Sequence, residues 1–378
     1  MAANSEAGQR IVKLTPLPDA LVAIDALVRL VEPRESDIGM ALGRVLAADA
    51  VAETARPASA VALWDGWALQ SAETTDAGSY APALLSTLPK RIDAGEPLPA
   101  GTDAVAQPDM VAVRGAQAEA LATVAPGEGV LPAGADTQAG KPLRPAGKRL
   151  RAIDQALLSA AGLSRVMIRE PRIRLVRARA GGPDIAAGYG WLAQALTAQG
   201  AAVISDAGNE IAADHLEAAF HHEASDAILV FGGTGSGTAD TSVTALAKAG
   251  KVAFHGVGLM PGETAAFGSV GARTVLLVPA RIDAALAVWL AIGRRWLGKL
   301  SGGGEEDRTF AAQLARKVTS TFGMAEVVPV RCDGSNVEPL AGGYLSLSAL
   351  AQADGWIFVP PESEGYPAGT SVAVRPLS

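Results

Sequence analysis

The sequence predicts an α/β multidomain protein: a doubly wound α/β ligand domain, a β module inserted between two helical pieces, and a C-terminal β domain. Three observations carry this expectation. Residues 172–231 alternate apolar strand runs with helical periodicity across glycine-marked turns. Residues 51–125 change to short alternating apolar runs broken by Gly and Pro, with helical segments on either side. Hydrophobic residues make up 49% of the chain and aromatics only 4%, so its cores must be built from Ala, Val, Leu and Ile, which suit helix-on-sheet packing. At 378 residues the chain is too long for one ordinary core, and two to four domains are expected.

The elements follow in order. From Pro18, the residues Leu21, Ile24, Leu27, Val28 and Val31 recur at three- and four-residue intervals, which predicts an amphipathic helix with Pro in its first turn. ALGRVLAADA (41–50) reads as a second helix. IDQALLSAAGL (153–163) returns to helical periodicity and ends on glycine, so residues 10–50 and 140–170 form a helical base domain with the β module, 51–139, inserted in it. The ligand domain, 171–300, runs strand (172–180), glycine-rich turn, helix (191–199), strand (202–205), helix (212–222), strand (227–231). Ligands in such sheets sit beyond the carboxyl ends of the strands, so the loops after Arg179 and Phe231 are the places to look. SGGGEEDR (301–308) is a polar, glycine-rich linker, and 308–378 alternates apolar and polar residues as a small β domain does.

A net charge of -7 and a pI near 5.3, with no basic run, exclude a general nucleic-acid binder, because counterion release needs clustered Lys and Arg. The longest strongly apolar stretch, 284–293, has about half the length a bilayer crossing needs, so no membrane partner is expected. MAANSEAGQR lacks the apolar core of a signal peptide, and one cysteine, Cys332, cannot form an internal disulfide. Both features point to the cytoplasm.

The strongest chemical signal is FGGTGSGTADTS (231–242). An apolar strand runs into four glycines within six residues, which lets backbone amides approach an anion where a larger side chain would block it. Asp240 follows and suits a hard cation or a polar ligand group. A flexible surface loop after a buried strand is the plain alternative. Two more features have ordinary readings beside functional ones. Trp64 and Trp67 flank Asp65 and either wall an aromatic pocket or pack locally, and His255 either bonds a phosphate or is structural.

The motif GGTGSGTAD (232–240) resembles the pterin loop GG-x-S-x-G-x-x-D of the molybdopterin molybdenumtransferases, the MoeA and gephyrin E-domain family. Its GGTG start also resembles the adenylyltransferases acting one step earlier. Five further segments match the first family in order: ALGRVLAADA resembles ALGRVLAED, and WDGWA (64–68) resembles MDGYA. RIDAGEPLPAGTDAV (91–105) resembles RIMTGAPLPEGADAV, PGEGVLPAGAD (126–136) resembles PGENVRPAGED, and MPGETAAFG (260–268) resembles KPGKPFAFG. Together they span nearly the whole chain. The resemblance implies an elongated homodimer with a doubly wound molybdopterin-binding domain and a site shared between subunits. It implies Asp65, Asp136 and Asp240 as catalytic and metal-holding carboxylates, with Mg2+ as the ion. Gly232, Gly233, Thr234, Gly235, Ser236 and Gly237 would bind the pterin phosphate, and adenylated molybdopterin and molybdate would be the substrates.

The chain also departs from the family pattern. The threonine of RIMTG is Ala94, the lysines flanking PGKP are Gly256 and Met260, and the lysine inside it is Glu263. The serine of the pterin loop aligns with Gly235, and LPGNP aligns with VPARI (278–282). Where the family has TGDEL this chain has AGGPDI (180–185), in which Asp184 takes the acidic place only with one residue inserted. A site that loses three cations and keeps three carboxylates binds anions less well, each contact charge being worth about 1–4 kcal/mol. Arg179 and Arg281 are the expected replacements as phosphate ligands, while Arg177, on the same strand face as Arg179, reads more simply as surface charge. Three functions are therefore carried forward. The first is Mg-dependent insertion of molybdate into adenylated molybdopterin with release of AMP. The second is a molybdopterin-binding carrier or partner of other molybdenum-cofactor proteins without turnover, and the third is adenylyltransferase-like nucleotide handling.

Overall fold

The computed structural model describes residues 9–178, 182–212, 215–304 and 308–377, with 206–210 described by backbone alone. Helix α1 (Leu17–Leu27) forms where the apolar spacing predicts it, with Pro in its first turn and Leu17, Ala20 and Ile24 buried. Those side chains enter the core of the α/β domain. The second helix expected at 41–50 does not form. Gly43 takes φ 76°, a left-handed turn that ends helical continuation, and Val45–Leu46 become a short strand instead. The strand Arg165–Arg169 pairs antiparallel with Arg34–Asp37 on one side and Val45–Leu46 on the other. Helix α2 (Ala152–Ala160) covers this small sheet through Leu158, against Ile38, Ala41 and Leu46. The expected helical base is thus a three-stranded sheet with one helix.

Residues 51–139 carry short strands in small sheets, as Gly/Pro punctuation predicts. The strand Gly66–Leu69 runs between Lys90–Ile92 and Ala104–Ala106. Asp65 lies just ahead of it.

The ligand domain holds a six-stranded sheet in the order Ala202–Glu210, Arg172–Arg177, Ala227–Phe231, Arg273–Val278, Ala266–Val270, Lys251–His255. The first four strands are parallel and the last two antiparallel. Strand Ala227–Phe231 is wholly buried because its side chains alternate between two cores. Ala227, Leu229 and Phe231 face α1, α3 (Pro183–Ala198) and the C-terminal helices, while Ile228 and Val230 face α4 (Leu216–Ala219) and α5 (Ser242–Ala249). Helices α6 (Ile282–Val288) and α7 (Arg294–Ser301), joined by a π turn, complete the first face. Of the helix expected over 212–222, the described residues show the single turn of α4, and the preceding strand stays extended to Glu210, paired with Arg177. The strand order reverses between Arg172–Arg177 and Ala227–Phe231, and the crevice beyond their ends is where a ligand of this fold sits.

In the C-terminal domain, strands Ala325–Asp333, Asn336–Pro339, Phe310–Leu314, Ser371–Pro376 and Gly355–Val359 close on themselves as a small barrel. Leu259–Met260 adds to its edge and ties it to the ligand domain. Ser346 caps the short helix α8 (Leu347–Ala351), accepting a hydrogen bond from the Ala349 amide. Among the described residues no helix is long and apolar enough to cross a membrane.

Candidate functional site

The buried strand Ala227–Phe231 delivers the glycine loop to the sheet edge. The Gly232 amide still donates to Val278 O, extending the parallel ladder by one bond. Gly232 and Gly233 then take φ 96° and 70°, so the chain turns sharply without steric cost. A Cβ on Gly233 would stand 2.3 Å from Ser242 Oγ, which donates to Gly232 O, while the Ser242 amide donates to Gly233 O. Glycine at 233 is thus a packing requirement as well as a conformational one.

Every side of the loop but one is held. Asp240 Oδ2, nearly buried, accepts the Gly237 amide at 2.9 Å. The Thr234 hydroxyl meets that of Thr264 at 2.8 Å. His255 Nε2 lies 2.9 Å from Thr234 O; a carbonyl only accepts, so this nitrogen carries a proton and His255 braces the loop. From far away in sequence, Gln9 Nε2 donates to Gly233 O and Gly235 O at 2.7 and 2.8 Å. The same side chain's Oε1 accepts from the Val243 and Thr244 amides at the start of α5. The amides of Gly233, Thr234, Gly235 and Ser236 take no partner among the described residues. Backbone donors without internal partners are what an anionic or carbonyl-bearing ligand can use.

Beside the loop lies a cleft of about 380 Å³, lined by Gly233, Thr234, Gly235, Asp240, Asp184, Glu263, Thr264 and the turn Pro279–Arg281. That size is within the range of small-ligand pockets. Arg281 lies at this cleft, as expected of a replacement cation, but its guanidinium has other partners. It grips the buried Asp283 carboxylate through two bonds of 3.0 and 2.7 Å, which raises its already high pKa, and it stands 5.3 Å over the ring of Tyr344. Glu263 folds its carboxylate onto the Gly262 amide. Among the described residues the cleft sets Asp184, Asp240 and Glu263 against the paired Arg281, and its open amides are the feature an anion can use.

The other expected site residues fall as follows. Ser236 and Gly237 are at the exposed tip of the loop. Asp184 is exposed in the first turn of α3. Arg179 lies outside the described residues. Asp65 is exposed and accepts the Ala94 amide at 2.8 Å, and Asp136 lines a different cleft with Arg56 and Asp154. Neither lines the glycine-loop cleft of its own chain. Trp64 and Trp67 are used inside the module, where their indole N–H groups donate to Val105 O and Pro108 O. Cys332 is half-buried, and burial pushes its thiol pKa up, away from nucleophilic use. Gln9, Asp283 and Tyr344 carry no local motif, and sequence reading misses them; Thr264 lies within MPGETAAFG but is not singled out there.

For magnesium the fit is poor within one chain. Asp240 is committed to Gly237 and Glu263 to Gly262, and no three metal-ligating side chains come together among the described residues. Among the described residues, carboxylates of one chain alone do not compose an ion site.

Three family models match the chain in order. Residues 15–162 match the MoeA N-terminal region (domain I and II), 188–299 the model described as "Probable molybdopterin binding domain", and 311–377 the MoeA C-terminal region (domain IV). The chain belongs to the MoeA family. A Methanocaldococcus jannaschii protein named for molybdopterin biosynthesis is 26% identical over 372 residues, covering 90% of this chain and 91% of that one. Two structures of a molybdopterin biosynthesis MoeA protein from Pyrococcus horikoshii superpose with TM-scores of 0.78 at 24% and 21% identity. They cover 97% and 96% of this chain and all of theirs. The MoeA fold is thus shared from end to end. A Cβ on Gly235 would stand 2.7 Å from Asp240 Oδ2. Glycine here lets Asp240 tuck under the loop.

Proposed function

We propose that the glycine-loop cleft binds molybdopterin, its phosphate on the amides of Gly233–Ser236, and that the chain acts in molybdate insertion during molybdenum cofactor biosynthesis. The carrying observation is the loop itself: four consecutive amides without internal partners, at the strand-order reversal of a molybdopterin-binding domain. Adenylated molybdopterin and molybdate are the substrates and AMP the product. A magnesium ion would need oxygens beyond those of one chain, from the substrate phosphates and from Asp65 and Asp136 of a second copy in a homodimer.

A second reading has its own support. Gly256, Met260 and Glu263 stand where the motif this segment resembles has lysines, and Asp240 accepts the Gly237 amide under the loop. A protein that holds the pterin without turnover, as a carrier or partner in cofactor delivery, suits a cleft that offers an anion open backbone amides. Incubation with adenylated molybdopterin, magnesium and molybdate separates the two. AMP release supports insertion, whereas stoichiometric binding without AMP supports the carrier. Absence of both overturns the pterin reading.

A further inference from the structure

We infer that Gln9 is a positioning residue of the ligand site: a carboxamide clip that fixes the glycine loop with its carbonyls turned inward and its amides turned to the cleft. Residues 9–16 cross the loop as a strap. At one end Gln9, only 9% exposed, spends both its donors on Gly233 O and Gly235 O and its acceptor on the first-turn amides of α5. At the other end the Thr15 amide donates to Gly256 O, and the Gly258 amide donates to Thr15 O.

The partners on either side of Gln9 are of opposite kinds, two carbonyls and two amides. A carboxamide answers both, because it offers donors on one side and an acceptor on the other. A carboxylate or phosphate in the same place would satisfy α5 but press negative charge against two carbonyl oxygens. The N-terminal pole of α5 is therefore closed to anions, although its dipole would suit one. A phosphate is directed to the opposite face of the loop, onto the amides of Gly233–Ser236. The glycine at 256 belongs to the same arrangement. It takes φ 90°, and a Cβ there would stand 2.6 Å from Ile11 Cγ2, so a side chain at 256 would press on the strap.

The test uses the full chain with Gln9→Ala, Gln9→Met, which keeps the bulk, and Gln9→Glu, which keeps the shape and the acceptor. In the unliganded protein, amide exchange at Val243 and Thr244 should accelerate about tenfold or more in the Ala and Met variants, while Ala245 and Leu246 keep their protection and the melting temperature stays close to wild type. Molybdopterin affinity, the only arm resting on the function proposed above, should fall about ten- to a hundredfold in all three variants. Gly256→Lys should expose the same two amides. Wild-type exchange in the Met variant would reduce Gln9 to a space filler and overturn the inference. Faster exchange with equal or tighter pterin binding would overturn it too, by making the strap a competitor. If the wild-type chain bound no molybdopterin while exchange responded as expected, the ligand assignment would fall and the clip would stand.

Discussion

Two clefts in this chain contain acidic residues of family motifs, and they are built in opposite ways. The glycine-loop cleft rests on the ends of buried parallel strands and presents backbone, and there Asp240, Glu263 and Arg281 are each held by a neighbouring group. The cleft at the junction of the base and the β module, about 450 Å³, is lined by Arg56, Asp136, Arg144 and Asp154, and there the charges hold the structure together. Asp154 pairs with Arg151 at 2.8 Å and lies 3.4 Å from Arg144, and it also accepts the Arg151 amide that opens α2. An aspartate in a motif therefore means different things in the two places. In the first it shapes a backbone loop, and in the second it sits among ion pairs that do structural duty.

The comparison predicts different failure modes. Phe231→Ala should be the most damaging change, because the ring is fully buried, packs edge-on against Tyr189 at 6.2 Å, and fills the space left by Gly188. A loss of about 3–5 kcal/mol in denaturant unfolding is expected, with the loop failing alongside the strand. A loss below about 1 kcal/mol would mean that the loop does not depend on the buried strand behind it. Asp154→Ala comes next, at about 1–3 kcal/mol at neutral pH. The hydrogen bond from Arg151 is the main cause holding the Asp154 carboxyl below its usual pKa. A depressed folded-state pKa means this stability is fully present above the ordinary carboxylate range and is lost as pH falls through the lowered value. The gap between wild type and variant should therefore close in acid, and a gap independent of pH would sink the ion-pair account.

Legibility in the sequence follows the same division. Strand Ala227–Phe231 was readable to the residue, because a strand buried on both faces is a continuous apolar run bounded by a polar turn. The segment 41–50 was not: its Ala and Leu content favours a helix, while its use as a short strand depends on pairing with Ile168 and Arg169 far along the chain. The glycine loop was evident from its own residues. What holds it was not, because Gln9 acts across 224 residues and carries no motif. Arg281 was found as a cation near the cleft, but its engagement by Asp283 and Tyr344 depends on side-chain geometry no spacing reports.

Gly235→Ser sharpens the contrast at smaller cost. The added Cβ would stand 2.7 Å from Asp240 Oδ2, and the carboxylate end of that side chain is what must shift. The expected result is loss of the Gly237–Asp240 bond, about 1 kcal/mol of stability, and faster exchange of the Gly237 amide. Unchanged protection at Gly237 would show that the loop absorbs the serine instead and that Asp240 is not held in place by the glycine.

Asp65→Ala should have the smallest effect on the fold. Its carboxylate is exposed and accepts one bond, from the exposed Ala94 amide, so stability should change by less than about 0.5 kcal/mol. Binding of molybdopterin by the cleft of the same chain should also be unaffected, because Asp65 does not line it. A loss of AMP release in this variant then has one structural source: Asp65 reaching the cleft of another copy. Mixing Asp65→Ala chains with Asp240→Ala chains tests that directly. In a shared site each mixed dimer holds one whole site and one doubly defective site, so roughly a quarter of wild-type activity should return after random re-pairing. In an unshared site every chain carries a defect and nothing returns. Recovery would join Asp65 of one copy and the glycine-loop cleft of the other into one site across the twofold; silence from an otherwise active wild type would confine function to the glycine loop.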